Sequence, residues 1–276
     1  MKRILYIIIL IVLGFSGYSQ SISYVAGARA AGMANAGITN QDTWAVFNNP
    51  SAYALLNNKA IGVYYENRFL MKETGYGALA FSSPLLGGNI GFGFSHFGYS
   101  LFQSDKVVLG YSQQLFKSFS MGLQVNYFSV RQSDYYGNLN SVTFEAGILS
   151  NPNDRLAIGA YIFNPLNLSY FEDSDLKMPV ALKLGLSYLF SKSLLLSIET
   201  GKAINGYTPV FKTGIEYLLN EQFALRTGVA LAPVEYSFGL GYSNAFSNKN
   251  KFGFDLAFSY HEYLGSTPKL SINYEF

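Results

Sequence analysis

Residues 267–276 read TPKLSINYEF. Leu270, Ile272, Tyr274 and Phe276 are apolar and alternate with Lys269, Ser271, Asn273 and Glu275. A strict period of two marks a strand with one apolar and one polar face. Chain ends are usually polar and frayed. A strand that runs to a final Phe therefore calls for a neighbour that holds it in place.

The alternation recurs. In PVALKLGLSYLF (179–190), Val180, Leu182, Leu184, Leu186, Tyr188 and Phe190 share one face, and Ala181, Lys183, Gly185 and Ser187 share the other. In KFGFDLAFSY (251–260), Phe252, Phe254, Leu256, Phe258 and Tyr260 oppose Lys251, Gly253, Asp255, Ala257 and Ser259. A soluble sandwich alternates in the same way, so periodicity alone leaves two architectures open.

Three features favour a barrel in a membrane. About fourteen such segments, each near ten residues, run from 59–69 to 267–276, and ten residues is the span of a tilted transmembrane strand. Links after even-numbered segments are tight (SNPND, FSKS, LNEQ), whereas RQSDYYGNL and NPLNLSYFEDSDLKM follow odd-numbered ones. Short turns on one side and longer loops on the other are the habit of outer-membrane barrels. The apolar rows also end in aromatics such as Tyr188, Tyr217, Phe223, Tyr242 and Tyr260, as interfacial girdles do. The expected fold class is all-β: an antiparallel transmembrane β-barrel of about 14 strands over residues 59–276. Its last strand would pair with its first, leaving no edge. Tyr274 and Phe276 then resemble the C-terminal signal read by the barrel-insertion machinery.

Composition agrees. Charged residues make up 13% of the chain, about half the share of an ordinary soluble domain. Cysteine is absent, which excludes disulfides, thiolate metal sites and a lipid anchor on cysteine. A net charge of +2 gives no pull toward nucleic acid. Lys2 and Arg3 precede an apolar run from Ile4 to Phe15, and Gly17 and Ser19 are small residues before Gln20. Residues 1–19 read as a secretory signal peptide.

Residues 20–58 match no strand and are crowded with Ala, Gly and Asn. Asp42 is placed to cap a short helix through Phe47. Asn49 precedes Pro50, which disfavours helical angles at Asn49. Pro50 suits the first turn of a second short helix through Leu56. So short a stretch cannot bury a core of its own, and a barrel of about fourteen strands is wider than wall side chains fill. We expect residues 20–58 to enter the lumen as a plug, its small residues packed on a Gly-rich wall.

The stretches GARAAGMANAGIT (27–39) and DTWAVFNNPSA (42–52) resemble the N-terminal hatch of FadL-type outer-membrane transporters, and more closely that of the PorV/PorQ proteins of type IX secretion. Gly27, Arg29, Met33 and Ala36 follow the hatch pattern, with Ala34 where the family has glycine. Asn49, Pro50 and Ser51 stand for its N-P-A motif. The resemblance implies a fourteen-stranded barrel with an N-terminal plug in the outer membrane of a Gram-negative bacterium, both termini periplasmic. It implies one of two functions: passive transfer of small hydrophobic or amphipathic molecules, or a scaffold or shuttle role with secretion-system proteins.

By strand parity the lumen receives Glu145, Lys183, Glu199, Lys212, Glu216, Arg226, Glu235 and Asp255. A single-sign ring would argue for an ion-selective pore; mixed signs argue for salt-bridged packing of wall to plug. Arg29 should meet a wall carboxylate, with Glu145, Glu199 and Asp255 as candidates. Trp44 is expected to anchor the plug. The two histidines, His96 and His261, fall near strand ends as rim residues, and no G-x-S-x-G elbow accompanies them. We expect no catalytic residues, metal or cofactor. The partners expected are outer-membrane lipid, the insertion machinery and a hydrophobic small molecule or secretion-system protein.

Overall fold

A computed structural model describes residues 25–133, 137–170, 178–204, 209–231, 233–246 and 250–276. The signal-peptide reading of residues 1–19 lies outside them. Fourteen strands follow one another: β1 (Ala60–Asn67), β2 (Gly75–Leu85), β3 (Gly88–Tyr99), β4 (Phe102–Phe116), β5 (Phe119–Gln132), β6 (Asn138–Asn153), β7 (Leu156–Phe163), β8 (Ala181–Ser191), β9 (Leu194–Ala203), β10 (Val210–Leu218), β11 (Phe223–Leu231), β12 (Glu235–Ala245), β13 (Lys251–His261) and β14 (Gly265–Glu275). Each pairs antiparallel with its sequence neighbours, and β1 pairs with β14 to close a barrel. Ala60 lies opposite Glu275, and the Phe276 N–H donates to the Lys59 carbonyl at 2.9 Å. The chain therefore stops within the wall, as its alternation predicts.

The wall has two unlike faces. Outward residues are large and apolar: Leu184 is 57% exposed, Phe238 59% and Leu109 63%. Such a continuous belt needs a bilayer to cover it. Inward residues are small and polar, and many, including Ser112, Asn126 and Ser271, are fully buried. Val180 departs from the expected face. It precedes β8 and is buried, where Leu182 and Leu184 are exposed.

We call the end that carries Phe276 the C-terminal rim. There the links are tight (86–87, 117–118, 154–155 and 192–193), and bulges interrupt three of the strand pairs beside them. The opposite end, the loop rim, carries the connections 68–74, 164–180 and 262–264.

Residues 25–58 lie inside the ring. They form α1 (Ala28–Ala31), α2 (Ala45–Asn48) and a 3₁₀ turn (Ala52–Leu55). Asp42 Oδ1 accepts the Trp44 N–H at 3.0 Å, but the cap position of α2 is Trp44 and has no side-chain cap, so Asp42 does not cap the helix as expected. Asn49 is extended (φ −163°, ψ 112°), as a residue before proline must be. Its Oδ1 accepts both the Ser51 N–H and the Ser51 hydroxyl, opening the 3₁₀ turn. Helix α1 has no signature in the sequence reading. It follows Gly27, whose φ of 102° is open to glycine alone.

Candidate functional site

Several glycines of the inner wall lie directly against the lumen segment. A Cβ on Gly147 would sit 1.9 Å from Asn49 Oδ1, and one on Gly122, opposite Gly147 across β5 and β6, 2.4 Å from Pro50. Gly214 and Gly228 form a second such pair beneath Met33. Ile38 rests on Gly185. Pairs of glycines on neighbouring strands make flat footprints on which backbone, not side chain, meets backbone.

Trp44 is 2% exposed and wedged between Gly27 and the wall glycine Gly62. Its ring meets Tyr64 edge-on at 5.8 Å. Asn49 joins the segment to itself and to the wall: its Nδ2 donates to the Ile38 carbonyl at 2.9 Å and to that of Ile148 at 3.4 Å. Ser112 and Ser120 both donate hydroxyls to the Ser51 carbonyl.

The inward charges form paired groups. Arg29 meets Glu216 with both its Nε and Nη2, at 2.9 and 2.7 Å, and Asp42 at 3.4 Å. The partner is thus Glu216, not Glu145, Glu199 or Asp255: α1 packs on β12 to β14, Arg29 reaches across to β10, and Asp255 pairs with Arg226. The Glu216 carboxylate holds the Arg29 pKa above its ordinary value, against the effect of burial. Arg226 bridges onward, 2.6 Å from Glu216 and 2.7 Å from Asp255. Glu199 accepts the Gly37 and Ile38 N–H groups, at 3.1 and 3.0 Å, and pairs with Lys212 at 3.2 Å. Lys212 also reaches the Asn35 carbonyl. Glu145 does not touch Arg29; it pairs with Lys106 at 2.8 Å. Lys183 stands over the Tyr161 ring, 5.1 Å from its centroid.

The sequence reading passed over several members. Lys106 is buried among Phe47, Phe128 and Phe163, each centroid within 6 Å of its ammonium. Its inward parity on β4 was the available signal. Glu66 is buried beside Tyr64 and Arg68, and Lys269 faces Glu235 at 3.7 Å.

Two cavities flank the lumen segment. One of about 420 Å³ lies toward the loop rim and is lined by Phe47, Tyr161, Phe163, Lys106 and Lys183 among others. The other, about 830 Å³, lies toward the C-terminal rim among Arg29, Gln41, Lys117, Asp154 and Arg155. Val25 lines the first, so the first described residue and Phe276 lie toward opposite rims.

The mouth of the first cavity mixes apolar residues with Arg68, Lys202, Glu235 and His261. Phe69 and Leu264 line it, and Leu70, Met71 and Tyr263 are exposed beside them. Phe69 and Leu70 both take left-handed angles, φ 58° and 57°, which bulky residues seldom adopt. The Phe69 N–H donates to Thr267 Oγ1 at 3.2 Å, and the ring meets His261 edge-on. Both histidines are hydrogen-bonded at the rim, His261 through Nδ1 to the Tyr263 and Leu264 N–H groups and His96 to Asp105. In the long loop, Tyr170 and Met178 fold onto Phe128 and Phe163. Phe171, which the sequence reading counted in that loop, is outside the described residues.

No family model matches the chain, and no curated protein does. Solved structures do. A FadL homologue of Pseudomonas aeruginosa superposes with a TM-score of 0.63 at 13% identity, covering 95% of this chain and 100% of that one. The toluene transporter TbuX of Ralstonia pickettii gives 0.62 at 12%, covering 92% and 98%. The monoaromatic hydrocarbon channel CymD gives 0.62 at 13%, also covering 92% and 98%. The fold is that of the FadL-type outer-membrane channels. At this identity the likeness concerns the fold alone. It spans both chains almost fully.

Proposed function

We propose that the chain is an outer-membrane channel for passive transfer of small hydrophobic or amphipathic molecules, with residues 20–58 as its plug and both rims named above set so that loops face outward. The observation that carries this reading is the loop-rim cavity. Its volume suits a small ligand, and Phe47, Tyr161 and Phe163 line it beside a dense set of charges that includes Lys106, Glu145, Lys183, Glu199 and Lys212. At its mouth Phe69 and Leu70 hold strained backbone, of the kind kept where a ligand passes. Beneath it, the plug separates this cavity from a second one at the opposite rim. The three similar structures are named for hydrocarbons, for toluene or as a FadL homologue, which supports a hydrophobic cargo.

A scaffold or shuttle role in type IX secretion, as in PorV/PorQ proteins, would rest on an exposed partner loop. The described ends of the longest loop instead fold onto Phe128 and Phe163, so transfer is the better supported reading. The test is uptake by intact cells. Cells that carry the barrel on their surface should take up a radiolabelled monoaromatic hydrocarbon several times faster than cells without it. Equal uptake at confirmed surface abundance would refute the transfer function.

A further inference from the structure

The outward face of β1 to β6 is layered. One register row runs Ile61, Phe81, Phe92, Leu109, Val125, Phe144, and the next toward the loop rim runs Val63, Leu79, Phe94, Val107, Tyr127, Val142. Both are apolar throughout. The row after that reads Tyr65, Gly77, His96, Asp105, Ser129, Asn140. The change from wholly apolar to polar takes one pleat repeat, about 7 Å along the strands. Around β3 to β5 it places His96 and Asp105 at the loop-rim end of the apolar surface.

On that row sits a trio with the anion at its centre. Asp105 Oδ1 lies 2.7 Å from His96 Nδ1, and Asp105 Oδ2 lies 3.0 Å from Arg131 Nη2. Arg131 is on β5, one pleat further toward the rim. The Asp105 side chain is 15% exposed, while those of His96 and Arg131 are 45% and 59% exposed. The carboxylate thus holds an imidazole and a guanidinium side by side, with their free edges facing outward. Near Arg131, Tyr127 and Asn140 spend their polar atoms on each other at 2.8 Å.

We infer that His96 and Arg131 form a binding site for the phosphate of an anionic membrane lipid. Exposed ion pairs contribute little to stability on their own, so the trio has no strong structural reason to sit on a lipid-facing wall. A planar guanidinium matches phosphate. The two apolar rows directly beneath supply the surface on which acyl chains lie.

The test is native mass spectrometry of the full-length barrel in a non-ionic detergent, offered phosphatidic acid or phosphatidylcholine with identical acyl chains. Wild type should retain one phosphatidic acid in preference to phosphatidylcholine. Arg131→Gln should weaken that retention about fivefold, and Arg131→Gln with His96→Gln by about thirtyfold. Lys117→Gln with Arg155→Gln, at the opposite rim, should leave it unchanged. A heat-modifiability gel confirms that each barrel is folded; the single variant serves if the double one is not. Equal retention of the two lipids, equal loss in the Lys117 and Arg155 variant, or a barrel dimer in place of the lipid adduct would overturn the assignment.

Discussion

Arg29 and Glu216 meet fork to fork, Nη2 to Oε1 at 2.7 Å and Nε to Oε2 at 2.9 Å, and Arg226 reaches the same carboxylate at 2.6 Å. One wall side chain therefore neutralises a cation from the lumen segment and a cation of the wall. Glu216→Gln should cost more than Arg29→Ala. The first leaves two guanidinium groups short of charge, about 3–5 kcal/mol for a broken buried pair. The second leaves Glu216 still paired with Arg226, a loss of about 1.5–3 kcal/mol. Proteolysis of residues 25–58 within the folded barrel reads the order. Faster cleavage in Arg29→Ala than in Glu216→Gln would contradict it.

The glycine footprints make a second prediction. Gly147→Val places atoms where Asn49 Oδ1 now lies, and Gly228→Val where Met33 lies. Both should unseat the segment while the barrel still inserts and resists heat in a gel. Gly201→Ser should change neither, because a Cβ there meets only Lys183 Cγ at 3.4 Å and the Leu182 carbonyl at 3.6 Å.

Adjacent residues on β8 separate insertion from seating. Leu184→Arg puts a charge on the lipid face, where it costs about 2–4 kcal/mol near mid-depth, and should lower the amount of inserted barrel. Gly185→Ser faces the lumen, and parity alone predicts a mild effect. Its Cβ would lie 2.5 Å from Ile38 Cγ2, so we expect normal insertion with a loosened segment. Reduced insertion in Gly185→Ser and not in Leu184→Arg would reverse the two faces.

Removing Phe276 should lower outer-membrane abundance far more than its burial, about 1.5–3 kcal/mol for a fully covered side chain, would explain. The ring is 45% exposed and stacks on Tyr274 at 6.0 Å, so little folding energy is lost with it. An unchanged level of assembled barrel would show that the terminal Phe carries no assembly signal.

The barrel was legible because strand parity is local. Two rules, alternation and link length, placed all fourteen strands to within a few residues and put Glu216, Arg226 and Asp255 on the inner face. Parity says which face a charge occupies but not its partner. The partner of Arg29 depends on where α1 comes to rest, and that depends on glycine footprints spread over distant strands. Lys106 escaped notice for the same reason, since its aromatic surroundings come from α2, β5 and β7. The left-handed turn at Phe69 and Leu70 had no glycine to announce it. The charged trio on the outer wall straddles three strands and shows only once their register is known.

In the proposed function the N-terminal segment closes the lumen to ions and leaves a route for hydrophobic molecules alone. Single-protein conductance in planar bilayers tests it most directly, with wild type set against a deletion of Ala26 to Thr39. That deletion removes Arg29, Met33 and Ile38, and with them the ion pair to Glu216 and two of the footprints. Wild type should show small or no channels, and the deletion large, steady ones. Porin-like conductance in wild type, or a folded deletion variant that stays silent, would contradict the account.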